Sequence, residues 1–145
     1  MRKSAFLLLL LLLALVVAIP LRAQTAADSA AIKAAALDYI DGYYTGDAAR
    51  MERALHPDLA KRIVNTDAQG RSRLGQMSAM TLVQGTRAGG GKDETNKREE
   101  VKILDIFQNT ASVRIDAGTW VDYLHIAKWN GRWVIVNVLW EMRAR

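Results

Sequence analysis

Trp120-Val-Asp-Tyr-Leu-His-Ile-Ala-Lys-Trp129, Asn130-Gly131, Arg132-Trp-Val-Ile-Val-Asn-Val-Leu-Trp-Glu141 is the stretch that decides the fold. Both flanking runs are rich in β-branched and aromatic residues and predict strands. Asn-Gly between them predicts a two-residue type I′ turn, because both central positions of that turn need positive φ. The turn sets a register in which Trp129 faces Arg132, His125 faces Val136, Tyr123 faces Val138 and Val121 faces Trp140. Alternation then places Tyr123, His125, Val136, Val138 and Trp140 on one face. Asp122, Leu124, Ile126, Trp133, Ile135, Asn137 and Leu139 fall on the other. Apolar side chains on both faces call for two covers, helices on one side and a further layer on the other.

Upstream of this ribbon, Val101–Phe107 and Ala111–Ala117 flank Asn109-Thr110 and predict a second hairpin. A two-residue turn there would align Leu104, Ile106, Val113 and Ile115 on one face and pair Asp105 with Arg114 across the strands. Before it, Gly85–Lys97 carries Gly89-Gly-Gly91 and a polar run, and predicts a flexible loop long enough to act as a lid. Leu74–Val83 reads as a short extended piece followed by a helix with Met77, Met80 and Val83 on its stripe. Leu59–Val64 is a short strand or an extended link, and Thr66–Gly70 a turn.

Nearer the amino terminus, Ile32, Ala35, Ala36, Tyr39, Ile40 and Tyr43 recur at helical spacing, with Asp28 or Ser29 as start and Gly46 as stop. Asp47 then caps a shorter helix through Met51 and Leu55 that ends at His56-Pro57. Helices first and an antiparallel meander after them make an α+β domain over residues 24–145, with the N-terminal helices packed on a curved antiparallel sheet.

The first residues read as an address. Arg2 and Lys3 precede an unbroken apolar run, Ala5–Ile19, and Pro20 and Leu21-Arg22-Ala23 follow it. That is a signal peptide over 1–23 with the cut after Ala23, or at Ala27 as the alternative. The run is shorter than the roughly 20 residues of a spanning helix, so no stable membrane insertion is expected after processing, and an uncleaved anchor is the competing reading. The expected protein is exported, periplasmic or secreted. Cysteine is absent, which excludes both a lipid-anchored precursor of the bacterial type and disulfides. Loss of Arg2, Lys3 and Arg22 lowers the formal charge from +5 to +2, and the remaining basic residues are interspersed with acids. Nucleic acid is therefore not an expected partner.

Several chemistries are poorly supported. Two histidines, His56 and His125, and no cysteine give no metal-ligand spacing, so no metal site is expected. Gly89-Gly-Gly-Lys92 has Asp93 where a phosphate loop needs Ser or Thr, and nothing else in the chain asks for a cofactor. No Gly-x-Ser-x-Gly is present. Acid–base chemistry is harder to dismiss. Tyr123 and His125 project from one strand face about 6–7 Å apart, within reach of one substrate if that face lines a cavity. His56, before Pro57, either serves a site or satisfies backbone carbonyls. Asp122 and Asn137 lie on the opposite face, where a buried acid needs a partner, Arg62 among the candidates. Trp120, Trp129, Trp133 and Trp140 either stack on a flat ligand or fill a core and an interface.

Three segments carry a family resemblance: Tyr39-Ile-Asp-Gly-Tyr-Tyr-Thr-Gly-Asp47, Leu55-His-Pro-Asp-Leu-Ala-Lys-Arg62 and Val121–Trp140. Together they are similar to the putative lumazine-binding family of the nuclear-transport-factor-two-like superfamily, over about Ser29–Glu141. The resemblance implies a cone-shaped fold with a pocket between sheet and helices, a homodimer packed through the sheet, and a small, flat heteroaromatic or hydrophobic ligand. The superfamily's enzymes place acids, tyrosines or histidines inside the cone. The residues expected to touch a ligand here are Tyr43, His56, Tyr123, His125 and Trp140, and no catalytic pair is assigned. The readings carried forward are a small-molecule-binding protein, an acid–base isomerase, lyase or cyclase using the same pocket, and an interaction module with a filled cone.

Overall fold

In the computed structural model, which describes residues 26–144, helix α1 runs over 26–45 and stops before Gly46. The leader read over residues 1–23 lies outside the described residues. Because α1 is already helical at residue 26, Asp28 and Ser29 lie within it and do not cap it. Its apolar stripe is the one expected from Ile32 through Ala35, Ala36 and Tyr39 to Ile40, all buried, but in the last turn Tyr44 is buried and Tyr43 only partly so. Helix α2 (Ala48–Ala54) starts where the sequence puts it: the Asp47 carboxylate accepts from the backbone N–H groups of Ala49 and Arg50. Asp38 of α1 receives Arg50 and Arg53 of α2, which fixes the angle between the two helices. Burial raises the Asp38 carboxyl, but hydrogen bonds from Arg53 and Arg50 outweigh that and hold it below its usual range.

Six strands follow: β1 (Leu55–Thr66), β2 (Ser72–Ser78), then after helix α3 (Ala79–Arg87) β3 (Glu100–Phe107), β4 (Thr110–Asp116), β5 (Trp120–Trp129) and β6 (Arg132–Met142). All of them, with α2 and α3, belong to one compact unit, Ala31–Arg145. The sheet order is β2-β1-β6-β5-β4-β3. The expected antiparallel meander is the β3–β6 half. β1 lies parallel to β6, so the sheet is mixed, and it is open, with β2 and β3 at its edges. The helices cover one face only.

The Asn130-Gly131 turn forms as read, with φ of 49° and 79°. Trp129 pairs with Arg132 and Ile126 with Ile135. Beyond that the register departs from expectation. A bulge at Val136 shifts it by one, so that His125 pairs with Asn137, Leu124 with Val138, Tyr123 with Leu139 and Asp122 with Trp140. Val138 and Trp140 therefore share the helix-covered face with Asp122, Leu124 and Ile126. Tyr123 and His125 keep company with Asn137 and Leu139 on the uncovered face, where Tyr123 is 49 % exposed.

A second bulge, between Ile103 and Asp105, reorganises the other hairpin. Its turn is Gln108-Asn109, with Phe107 opposite Thr110, so Asp105 pairs with Ser112 and Arg114 with Lys102. The expected Asp105–Arg114 pair does not form, and Leu104 turns outward while Ile106, Val113 and Ile115 pack inward. Met77 lies in β2 and Met80 is exposed, so the α3 stripe is Ala79, Leu82 and Thr86 instead.

Gly85–Lys97 is not a free lid. Gly91 donates its backbone N–H to Tyr43 O, Lys97 Nζ donates to Tyr44 O, and Thr119 donates to the Glu94 carboxylate. A Cβ at Gly91 would stand 2.5 Å from the Tyr43 ring, so the loop's glycine permits this close approach to α1.

Candidate functional site

A strand residue between two apolar neighbours on the same face is driven inward with them. Leu59 and Ile63 flank Lys61 at two-residue spacing in β1, and Lys61 is only 5 % exposed. An isolated buried ammonium would be prohibitively costly, so it must be paired and hydrogen-bonded. Its partner is Asp122 of β5, which is fully buried. Lys61 Nζ stands 2.7 Å from Asp122 Oδ1 and 2.6 Å from the Tyr39 hydroxyl oxygen. Tyr39, on the buried stripe of α1, in turn donates to Asp122 Oδ2 at 3.3 Å, and Trp120 Nε1 donates to the same oxygen at 2.8 Å. One carboxylate thus gathers an ammonium, a phenol and an indole from α1, β1 and β5.

The electrostatics follow from burial. Desolvation holds the Tyr39 hydroxyl well above its ordinary value of 10.0, and the Asp122 charge adds to the rise. Desolvation pulls the Lys61 ammonium below its ordinary 10.5, with Asp122 opposing but not cancelling the effect. Tyr43, half-buried nearby, is raised by burial first and then by Glu94 and Asp122.

Lys61 and Tyr39 form part of the wall of a cavity of about 240 Å³ between the sheet and the helices. Aromatic and apolar side chains make the rest, chiefly Tyr43, Trp120, Trp140, Met77 and Leu82, with Glu94 the only other charged group. Tyr43 and Tyr44 stand edge-on to Trp120 at 5.8 and 5.9 Å between centroids. Lys61 Nζ lies 4.6 Å from the Trp140 ring centre, a cation–π contact. The Trp140 indole N–H is buried and has no hydrogen-bond partner among the described residues. A buried donor without an acceptor costs about 1–3 kcal/mol, which an acceptor in the cavity would recover.

Of the residues selected from sequence, Tyr43 and Trp140 line this cavity. Tyr123 and His125 do not: they project from the opposite face of the same sheet, and with them goes the expectation that this pair looks into the cone. There His125 Nδ1 accepts from Asn137 Nδ2 at 3.3 Å, and Asn137 Oδ1 accepts from Arg62 Nη1 at 3.0 Å. Arg62, one of the candidate partners of Asp122, is thus on the wrong face, as its position next to Lys61 in a strand requires. His56 lies elsewhere again, in a shallow groove of about 490 Å³ at the Asn130-Gly131 end, with its ring edge-on to Trp129 at 4.8 Å. Its Nδ1 accepts the backbone N–H of Asp58, a local role.

The stabilising contribution of Tyr39 has a defined pH window. Its folded value is raised, so that contribution is complete below pH 10 and is lost as the pH climbs through the folded value. Lys61 is lowered and acts in the opposite sense: its penalty is complete at neutral pH and is relieved on the way to 10.5. Tyr39→Phe is expected to cost about 1–3 kcal/mol in urea unfolding at pH 7 and to flatten the stability loss above pH 10. Wild-type stability with an unchanged alkaline limb would count against this arrangement.

Comparison with known proteins agrees with this architecture. Residues 27–141 match the model of the family described as putative lumazine-binding. No curated protein sequence matches the chain. Among solved structures, an NTF2-like protein of unknown function from Shewanella baltica is similar at 18% identity and a TM-score of 0.63, covering 83% of this chain and 97% of that one. An NTF-2-like protein from Silicibacter pomeroyi is similar at 18% identity and 0.59, covering 82% and 98%. A ketosteroid isomerase-like protein from Erwinia carotovora atroseptica is similar at 16% identity and 0.52, covering 80% and 96%. These likenesses establish a shared NTF2-like fold.

Proposed function

The chain belongs to the family described as putative lumazine-binding, and on that premise we propose that it is an exported protein that holds a small, flat aromatic or heteroaromatic ligand in the 240 Å³ cavity. One observation carries the reading: aromatic walls converge on a buried ammonium–phenol pair, Lys61 and Tyr39, beside an indole N–H that lacks an acceptor. Apolar walls with a few fixed polar groups are the usual make-up of a ligand site. The cavity is smaller than the roughly 300–1,000 Å³ of sites for drug-sized molecules, which favours a ligand of one or two fused rings. Its polar edge should carry acceptors, such as a ring carbonyl or an ionised oxygen, because the site presents donors.

A second reading is proton transfer on the bound ligand by the same groups. Its support is that Tyr39 and Lys61 share one wall with proton affinities displaced from their ordinary values. It differs from binding alone in whether the ligand is returned chemically altered. The Tyr123 and His125 pair has no part in it.

Export and dimerisation belong to the same proposal. The basic start, the apolar run and the small residue at position 23 support export. The uncovered sheet face supports a homodimer: Val64, Leu74, Tyr123 and Leu139 are each about half exposed or more on neighbouring strands. Sheet-to-sheet packing would supply the second cover that an apolar outer face calls for.

In a thermal-shift and tryptophan-fluorescence screen, fused-ring heteroaromatics bearing carbonyl groups are expected to raise Tm and quench emission. Trp140→Leu should weaken the best of them by roughly tenfold or more, as loss of a stacking partner implies, while Tyr123→Ala leaves the affinity within about twofold. A screen with no stabilising compound, or equal losses for the two variants, would contradict the proposal. Native mass spectrometry of protein recovered from an exporting host should find a dimer of chains beginning at Gln24, and Leu139→Lys should yield monomers. Monomeric wild type with residues 1–23 retained would refute both parts.

A further inference from the structure

Among the lysines of the described residues, Lys61 alone is buried, and it lines a cavity. Lys33, Lys92, Lys97 and Lys102 are exposed, and Lys128 is half-buried over the Trp133 ring. Lys61 reaches the cavity wall from β1, with Asp122 Oδ1 at 2.7 Å, the Tyr39 hydroxyl at 2.6 Å and the Trp140 ring at 4.6 Å. Resting on the reading of this cavity as a small-molecule site, we propose that Lys61 captures aldehydes and unhindered ketones as a reversible Schiff base.

The charge balance of the site selects that class of ligand. Asp122 is fully buried and needs a cation beside it. Acylation of Lys61 by an ester or thioester would turn the nitrogen into a neutral amide and strand the carboxylate. Condensation with a carbonyl compound gives an iminium, which keeps the positive charge on the same nitrogen. The ion pair survives the reaction.

The steps balance with the groups present. Lys61 passes one ammonium proton to Asp122, and the freed lone pair forms the C–N bond as the carbonyl π electrons move onto oxygen. That oxygen takes a second proton from the nitrogen, relayed through the Tyr39 hydroxyl, to give a carbinolamine. The C–O bond then breaks, the oxygen leaves as water with the proton held by Asp122, and the remaining nitrogen lone pair closes the C=N bond. The ammonium and the carbonyl compound become the iminium and one water, with no oxidant or reductant. Burial of the ammonium favours the free amine that attacks, and this is how buried lysines become nucleophiles at neutral pH.

The test uses benzaldehyde as probe, benzyl alcohol as its non-condensing counterpart, and cyanoborohydride to reduce the imine to a stable amine. Peptide mapping by mass spectrometry should find the benzyl adduct on Lys61 at roughly tenfold the level on exposed Lys33 and Lys102, because burial favours its free amine and the cavity wall holds the probe beside it. Lys61→Arg, which keeps a cation beside Asp122, should lose that adduct. If this variant does not fold, the map of the wild-type protein decides by itself. Adducts confined to exposed lysines, with benzyl alcohol still raising Tm, would overturn the Schiff base and leave the cavity reading standing. No adduct at Lys61 and no stabilisation by either compound would overturn both.

Discussion

The Asp122 carboxylate, with the Lys61 ammonium 2.7 Å away, is the interaction around which this protein is arranged. Removing one partner from such a buried pair typically costs about 3–5 kcal/mol, because the other is left as an uncompensated charge. Here the pair is held in place by a phenol from α1 and an indole from β5, so that both carboxylate oxygens are satisfied. Three elements distant in sequence are tied at one point, Tyr39 in α1, Lys61 in β1 and Asp122 in β5. The cavity forms beside that point.

A polar knot inside an apolar chamber has a chemical consequence. The wall around it is a mixture of aromatic and aliphatic side chains, and its charged groups are Lys61 and Glu94. On the proposed reading, the rings would supply contact area and the ammonium would fix the position of one electron-rich atom. The other face of the sheet is of another character. Arg62, Asn137 and His125 form a hydrogen-bonded line among exposed apolar side chains. A single strand, β5, serves both faces in alternation.

Much of this was legible in the chain itself. The Asn-Gly turn, the Asp47 cap, the helical stripe from Ile32 to Ile40 and the α+β order follow from local rules, and the structure shows them. The site was legible only in part. Asp122 stood out as a buried acid in need of a partner, and Tyr43 and Trp140 as aromatic candidates. The inward face of β5 was not, because both faces are apolar enough that alternation alone cannot rank them. The bulge at Val136 has no sequence mark, and one extra residue exchanges the faces of everything after it. Lys61 carries a signal of its own, since Leu59 and Ile63 on either side of it mark an inward position for a charged residue. Tyr39 was placed on a buried stripe, but its hydroxyl could be given a partner only once β1 and β5 were brought under α1.

The most direct measurement is a double-mutant cycle on Lys61→Met and Asp122→Leu, with urea unfolding at neutral pH for wild type, both single variants and the double variant. The expected result is a loss of about 3–5 kcal/mol for each single change and a double variant more stable than either, which requires a strongly favourable coupling. Single losses that simply add, within about 0.5 kcal/mol, would show that the two groups do not sense each other and would contradict the account at its centre.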